Sequence, residues 1–485
     1  MLNRSKILLV HPLGYRADAA RSDISRITNI MPPLGLASMA AVLQKRGISA
    51  EIIDCYAQPD SDGLIRDRLL AVKPAFIGFS CTTSTFRDGV RIAELARGTL
   101  PGVRNVFGGI HASSMKERAL RDFPAVDFAV VGEGEETLGD LLDGGADAPA
   151  GVPGLVYRAG GSGEVRFTGY RDRGLVLDTL PFPAYEKLPG FPDAYRLPIF
   201  NYPRVPNTSA ISSRGCPYAC SYCDRSVFRR TFRYNSAEYL VEHMRYLHER
   251  FGIRHINFYD DQFTFNRDRV AKFARLMIER PLGMTFNCAV RAEHIDPDLL
   301  RLMKGAGCWM MSLGIESGDE QLLAQHRQNA KLDLLADKIR LIHKTGIRTK
   351  GLLMMGLPGE SEESIRRSRD YVFSLPIDDF NLAKFTPFPG TPIYEKVREL
   401  GEFDEDWERM DCMHFLFVPK GMTRELLEKR FNEFYRDHFM RPKVLWGYFT
   451  MLWRSPDSWL RFLGNLPGFL RFTRTSERLA GEAKG

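Results

Sequence analysis

At 485 residues, with 44% hydrophobic and 26% charged side chains, the chain is too long for one ordinary core and too apolar to be disordered. A formal net charge of +7, without a basic run or a recognised RNA-binding module, argues against nucleic acid as a partner. Of the 8 cysteines, Cys55, Cys81, Cys288, Cys308 and Cys412 are scattered without a disulfide framework, which predicts a reducing compartment, the cytoplasm. The first residues lead straight into Ile7-Leu8-Leu9-Val10, a first strand rather than the apolar core of a signal peptide. No apolar stretch is long enough to span a bilayer.

Through residue 150 short apolar runs alternate with amphipathic segments, the pattern of an open α/β sheet. Lys6–His11, Ala50–Ile53, Phe76–Ser80, Asn105–Gly109 and Phe128–Glu135 read as strands, and Pro33-Leu34-Gly35-Leu36 opens a helix running through Leu43. Glycines cluster where these strands end. Ligands of such sheets bind over the carboxyl ends of the strands, and glycine lets the backbone approach closely. The pattern alone leaves nucleotide, flavin and corrinoid open as ligands.

Residues 151–207 are irregular and proline-rich, and their many aromatics predict a linker packed on both neighbours. Over 208–395 strands and helices alternate again. Strands are predicted at Ser209–Ser213, His255–Tyr259, Thr285–Val290, Met310–Ile315, Thr349–Met355 and Asp379–Phe385. Helices are predicted at Ala237–Phe251, Arg267–Arg280, Pro297–Gly305 and Ser364–Leu375. In barrels built from such units function gathers at the carboxyl ends of the strands, so strand ends are where functional residues are expected. Met310, Met311, Met354 and Met355 read as barrel core.

After the first barrel strand comes Arg214-Gly215-Cys216-Pro217-Tyr218-Ala219-Cys220-Ser221-Tyr222-Cys223-Asp224. This C-x-x-x-C-x-x-C run supplies one thiolate fewer than a closed zinc or iron–sulfur site needs, and no fourth cysteine or close histidine follows. A zinc site completed from a distance would use the same residue types. The spacing, the Arg-Gly before it and the aromatic Tyr222 within it resemble the radical S-adenosylmethionine (SAM) enzymes. That resemblance implies a 4Fe-4S cluster held by Cys216, Cys220 and Cys223, with SAM on the open iron and cleaved to a 5′-deoxyadenosyl radical. It also implies SAM contacts from Tyr222 and, at successive strand ends, from Asp260 and Asp261, Arg291, Glu316 and Ser317, and Gly356. One of the two aspartates could instead cap the next helix.

Met31-Pro32-Pro33-Leu34-Gly35-Leu36, Phe107-Gly108-Gly109-Ile110-His111-Ala112 and Val131-Gly132-Glu133-Gly134-Glu135, all ahead of the cysteine triplet, together resemble the cobalamin-binding domain of class B radical SAM proteins. The resemblance extends to the cobalamin-dependent radical SAM methyltransferases and to the anaerobic magnesium-protoporphyrin monomethyl ester oxidative cyclase. The cobalamin contacts it implies are Pro33, Leu34, Gly35, Ser80, Gly108, Gly109, His111, Gly132 and Glu133. The Asp-x-His-x-x-Gly run that ligates cobalt in many such domains is missing, so cobalamin is expected without a protein histidine ligand. The fold class expected is α/β: a doubly wound Rossmann-like cobalamin-binding domain (1–150), the linker, a partial (β/α)6 radical SAM barrel, and a helical C-terminal tail (396–485).

In the tail, Met422–Phe439 reads as an amphipathic helix. Trp446, Trp453 and Trp459 then interleave with Arg441, Lys443, Arg454, Arg461, Arg471 and Arg474, up to Phe469-Leu470-Arg471-Phe472. Aromatics and cations so mixed suit an interfacial helix at the inner face of the cell membrane, a lid on the barrel mouth, or a dimer contact. The function expected is methylation of an unactivated carbon through radical SAM and cobalamin chemistry. Radical cyclisation or rearrangement is the alternative, and a cobalamin sensor or carrier the non-enzymatic one. A small-molecule or lipid-like substrate and a reductant such as flavodoxin or ferredoxin complete the expected partners.

Overall fold

The computed structural model describes residues 2–14, 29–58, 61–160, 163–172 and 176–467. The predicted Phe469–Phe472 stretch, with Arg471 and Arg474, lies outside them. Near the N-terminus, Ile7 to Val10 of strand β1 (Asn3–His11) are four buried residues in a row, the mark of a strand covered on both faces. Ile7 and Leu9 pack into one core with the helix Leu34–Lys45, whereas Leu8 and Val10 pack into another with Ile65 and Ile92 of the opposite helices. Strands β2 (Ser49–Asp54), β3 (Pro74–Ser80), β4 (Arg104–Gly108) and β5 (Phe128–Val130) complete the parallel part, in the order β2-β1-β3-β4-β5.

Two expectations change here. The fifth strand stops at Val130, because Gly132 takes the left-handed φ of +86° and turns the chain into a helix, Gly134–Asp140. The linker does not begin at 151 either. β6 (Leu155–Arg158) and β7 (Val165–Phe167) join the same sheet antiparallel, since Leu155, Val156 and Tyr157 are buried against it. The remainder packs as a bolt between domains: Ala184 N–H donates to Ala37 O (3.0 Å) and the Tyr185 hydroxyl to Ser209 O (3.2 Å).

The second sheet has six parallel strands, β8 (Asn207–Ala210), then, beyond the two-residue pair β9 (Ser213–Arg214) and β10 (Arg233–Tyr234), β11 (His255–Phe258), β12 (Thr285–Val290), β13 (Cys308–Glu316), β14 (Arg348–Met355) and β15 (Asp379–Lys384). Its first strand ends at Ala210, earlier than expected, because Ser213 and Arg214 pair with β10 instead. The helices start where side chains cap them: Ser236 accepts from Tyr239 N, Asn266 from Arg269 N, Asp296 from Leu299 N, and Ser361 exchanges bonds with Ser364. The open edge at β15 is covered by the helix Arg424–Phe439, whose Tyr435 hydroxyl accepts from Leu382 N–H at 3.1 Å.

At the amino ends of the barrel strands the linker forms a plug. Asn287 Nδ2 donates to Asn201 O (2.6 Å) and Lys350 Nζ to Asn201 Oδ1 (3.1 Å). The tail packs beneath that plug. The Tyr448 hydroxyl reaches Asp379 Oδ1 (3.1 Å) at the start of β15, and Phe200 N–H donates to Ser458 Oγ (3.1 Å). The helices within 442–464 therefore do not lid the mouth; they lie at the opposite end of the barrel. Strands β16 (Gly401–Phe403) and β17 (Phe417–Pro419) bracket a segment that returns to the N-terminal domain, where Trp407, Met410 and Leu416 enter its second core. Among the described residues no helix is long and apolar enough to cross a membrane.

Phe286 is fully buried among Phe258, Phe263 and Phe273, with ring centroids 5.5–6.1 Å away. Phe286→Ala should cost about 3–5 kcal/mol. Denaturant titration of the barrel transition, followed separately from that of the N-terminal domain, checks it.

Candidate functional site

The carboxyl ends of β3, β4 and β5 face the carboxyl end of the barrel, and one side chain ties the two together. Arg214, the residue before Gly215-Cys216, sends one nitrogen to Glu133 Oε1 and another to Glu135 Oε1, both at 2.6 Å. Arg233 also pairs with Glu133, and the Ser38 hydroxyl donates to Glu135 at 2.9 Å. Burial pushes the Glu135 carboxyl upward, but the charge and hydrogen bond of Arg214 outweigh it and hold the group below its ordinary value of 4.5.

Between these walls lies a cleft of about 1400 Å³, part of it open to solvent. Its floor brings together Leu34, Gly35, Ser80, Gly108, Gly109, Gly132 and Glu133, seven of the nine residues expected to contact cobalamin. A Cβ built on Gly35 would meet nothing within 4 Å, and one on Gly108 nothing nearer than 3.9 Å. The floor is thus a cradle that side chains would fill, which fits a large flat ligand such as a corrin ring. Its polar groups are few and its walls largely apolar. The wall residues that sequence reasoning missed include Met39, Leu138, Phe228, Tyr239 and Tyr259. Met39 lies one helical turn from Gly35, a signal that could have been used.

Two of the expected cobalamin contacts do not line this cleft. Pro33 sits just before the helix whose next residues do. His111 is fully buried with its Nδ1 3.2 Å from Thr83 Oγ1, and its ring lies 4.4 Å from Phe86 and 4.6 Å from Trp407. The left-handed turn at Gly109 (φ +90°) starts a helix that carries His111 into the second core. Burial lowers this histidine to about 3, so it stays neutral.

The cysteine loop is pinned at several points. Ser221 N–H donates to His326 O (2.9 Å), Ala219 N–H to Gln328 Oε1 (2.8 Å), and Ile393 N–H to Ser221 O (3.2 Å). A side chain at Gly215 (φ +85°) would collide with Thr231 O, and one at Gly390 with the Asp224 carboxylate. Cys220 is buried, Cys216 half-buried and Cys223 exposed. Among the described residues no three metal-binding side chains converge on one point. Cys216, Cys220 and Cys223 are the three thiolates the loop carries. The donor set fits a cluster with one open iron.

Around that loop the strand-end residues divide. Asp261 opens into the cleft, and burial together with the neighbouring charge of Asp260 raises its carboxyl above the usual range. Asp260 itself is turned inward: it accepts from Ser212 N–H (2.6 Å) and from the Ser212 and Ser213 hydroxyls (2.5 and 2.8 Å). It clamps the start of the cysteine segment and does not face a ligand. Ser317 is likewise withdrawn, fully buried with its hydroxyl 2.9 Å from Ser368 Oγ, because Glu316 before it adopts φ +62° and reverses the chain. Glu316 stays half-buried, and burial raises its carboxyl against the pull of Arg327 and Arg291. Arg291 lies 3.8 Å over the Tyr218 ring and donates to Glu293 (2.9 Å) and Gln328 O (2.8 Å). Tyr222 packs among Leu322, Leu357 and Phe385. Gly356, at φ +93°, gives its N–H to Glu360, whose burial pushes it up to about 8.

Family models match this chain twice: the B12 binding domain over residues 21–142 and the radical SAM superfamily over 210–372. The chain is a radical SAM protein with a cobalamin-binding domain. An uncharacterized methyltransferase of Pyrococcus horikoshii is 29% identical over 91% of this chain and 94% of its own length. The anaerobic magnesium-protoporphyrin IX monomethyl ester cyclase of Rubrivivax gelatinosus is 26% identical over 96% and 82%. Among solved structures, the cobalamin-dependent SAM radical enzyme OxsB, with aqua-cobalamin and SAM bound, superposes with a TM-score of 0.70 at 17% identity, covering 97% of this chain and 75% of that one. The radical SAM protein is thus an enzyme whose cofactors are a 4Fe-4S cluster, SAM and cobalamin, acting on a small molecule with an external reductant.

Removing Arg214 leaves the buried Glu135 carboxylate without its partner, so Arg214→Ala should weaken domain docking by about 3–5 kcal/mol. Because Glu135 is held below 4.5 in the folded chain, its contribution is complete above that pH and disappears as pH falls through the lower folded value. Limited proteolysis of the cofactor-free protein at the linker, between pH 6 and 3, reads both effects.

Proposed function

We propose that this enzyme methylates an unactivated carbon, with the cobalamin seat and the Asp261 edge of the SAM seat opening on one largely apolar cleft. The observation that carries this reading is the continuity of the space: the glycine floor above β3, β4 and β5 and the Asp261 side of the cysteine loop line the same cavity. When bound, the cluster and cobalamin supply the two halves of the chemistry: an electron that cleaves SAM to a 5′-deoxyadenosyl radical, and a methyl group for the substrate carbon. The remaining work falls to the chain. Cys216, Cys220 and Cys223 would hold the cluster, on a loop pinned by His326, Gln328 and Ile393. Asp261, Arg291, Glu316 and the backbone around Gly356 hold SAM, with Tyr222 packing behind. Leu34, Gly35, Ser80, Gly108, Gly109, Gly132 and Glu133 carry the corrin. The Leu138, Phe228 and Tyr259 walls limit water around the radical.

The partners in this reading are a small-molecule substrate, a flavodoxin- or ferredoxin-like reductant, and a membrane touched peripherally by the tail. Radical cyclisation is the second reading, favoured by the near full-length match to the cyclase. The mass of the product separates them: a gain of one methyl group supports methylation, and an oxidation or isomerisation overturns it.

Cys216→Ala, Cys220→Ala and Cys223→Ala should each abolish the iron–sulfur absorbance and SAM cleavage together, whereas Cys55→Ala, Cys81→Ala and Cys412→Ala should leave both intact. Iron analysis and 5′-deoxyadenosine formation after reconstitution are the measurements. Glu316→Gln should spare iron content and weaken SAM binding by about 1.5–3 kcal/mol, the scale of a charge-assisted hydrogen bond. Equilibrium binding of SAM to the reconstituted variant measures it.

A further inference from the structure

The helix Pro442–Arg454 is apolar on both sides, and among the described residues only one side has a protein partner. Val444 and Met451 are buried, with Tyr448 between them bonded to Asp379, so the 444/448/451 face rests on the barrel. The opposite face carries Leu445, Trp446, Phe449, Leu452 and Trp453, all exposed; Trp446 is 63% and Trp453 60% accessible. Trp446, Phe449 and Trp453 form a ladder of rings, each step 5.4 Å, with no residue lying over it among those described. The next helix, Pro456–Gly464, extends the surface with Leu460 at 71% and Leu463 at 55%. A helix hydrophobic all round demands cover on every side.

Charge decides what covers it. Lys443 and Arg454, both exposed, stand at the two ends of the aromatic face. Of the other cations in the tail, Arg441 and Arg461 turn to the protein, donating to Phe373 O (2.6 Å) and to Leu197 O (3.0 Å), and the single acid between residues 440 and 475, Asp457, accepts from the Tyr202 hydroxyl. A patch of tryptophans edged by cations, on a helix of 13 residues, matches the headgroup layer of an anionic bilayer in polarity. Trp459 does not belong to this face: its Nε1 donates to Tyr448 O (3.1 Å) and its ring packs on Phe200.

We infer that the two tail helices seat this enzyme on an anionic membrane surface through Trp446, Phe449, Trp453, Leu460 and Leu463. The seat lies at the amino ends of the barrel strands, which the Asn201 plug closes, so the cofactor cleft points away from the bilayer. The contact anchors the enzyme and does not feed lipid into the cleft. This placement deepens the peripheral contact proposed above and is independent of which radical reaction the enzyme performs.

Sedimentation of the full-length, cluster-loaded protein with vesicles tests it. Binding to phosphatidylcholine vesicles containing phosphatidylglycerol should exceed binding to phosphatidylcholine alone, and 0.5 M salt should weaken it several-fold. Trp446→Gln/Trp453→Gln should reduce binding at least tenfold, and Lys443→Glu/Arg454→Glu should remove its salt dependence. Both variants should keep the iron–sulfur absorbance and SAM cleavage, since their side chains touch neither cofactor seat. Wild-type protein left in the supernatant with every vesicle, or tryptophan variants that bind as well as wild type, would overturn the inference. So would a stable dimer that the tryptophan variants break, which would give the face to a second copy. Normal SAM cleavage beside failed sedimentation would leave the proposed reaction standing.

Discussion

One guanidinium holds the catalytic layout together. Arg214 is at once the last residue of β9, the residue before the cysteine loop, and the partner of two carboxylates on the turn and helix that follow β5. A pair of mobile domains would leave the distance between corrin seat and cluster seat to chance. A half-buried cation shared by Glu133 and Glu135 fixes it, since separating them would strand charges in an apolar wall. The linker reinforces this by bonding to both domains, through Ala184 and Tyr185.

The strand ends of the barrel show how one short motif serves two purposes. Asp260 and Asp261 are adjacent, yet one clamps Ser212 and Ser213 while the other opens to the cleft. Glu316 and Ser317 divide in the same way across a left-handed residue. In each pair the inward side chain stiffens the loop that carries the less buried one, which is how rigid support reaches residues built on loops.

Sequence carried most of the architecture because its signals were local: alternating apolar runs, glycines at strand ends, and a cysteine spacing that leaves one iron free. What it missed depended on contacts across the chain. The β6–β7 hairpin hides in a glycine- and proline-rich stretch whose only cue is Leu155-Val156-Tyr157. The Arg214 bridge joins residues far apart in sequence. His111 is expected among the cobalamin contacts from the Phe107–Ala112 segment, but the helix that Gly109 starts turns it into the core. In the tail, composition mixed two faces that helical spacing separates: 444, 448 and 451 inward, 446, 449 and 453 outward.

The return of the chain at Trp407 bears on how the protein is made. Trp407, Met410 and Leu416 are part of the N-terminal domain's second core, against Phe86 and His111. As the ribosome releases the chain, that core lacks its closing aromatic until the whole barrel has been synthesised. The amino-terminal sheet must therefore wait, with Phe86 and Phe123 uncovered, for a segment from the far end of the polypeptide. Such long-range closure makes folding slow and its early stages prone to aggregation, and it ties completion of the corrin domain to synthesis of the chain through Leu416.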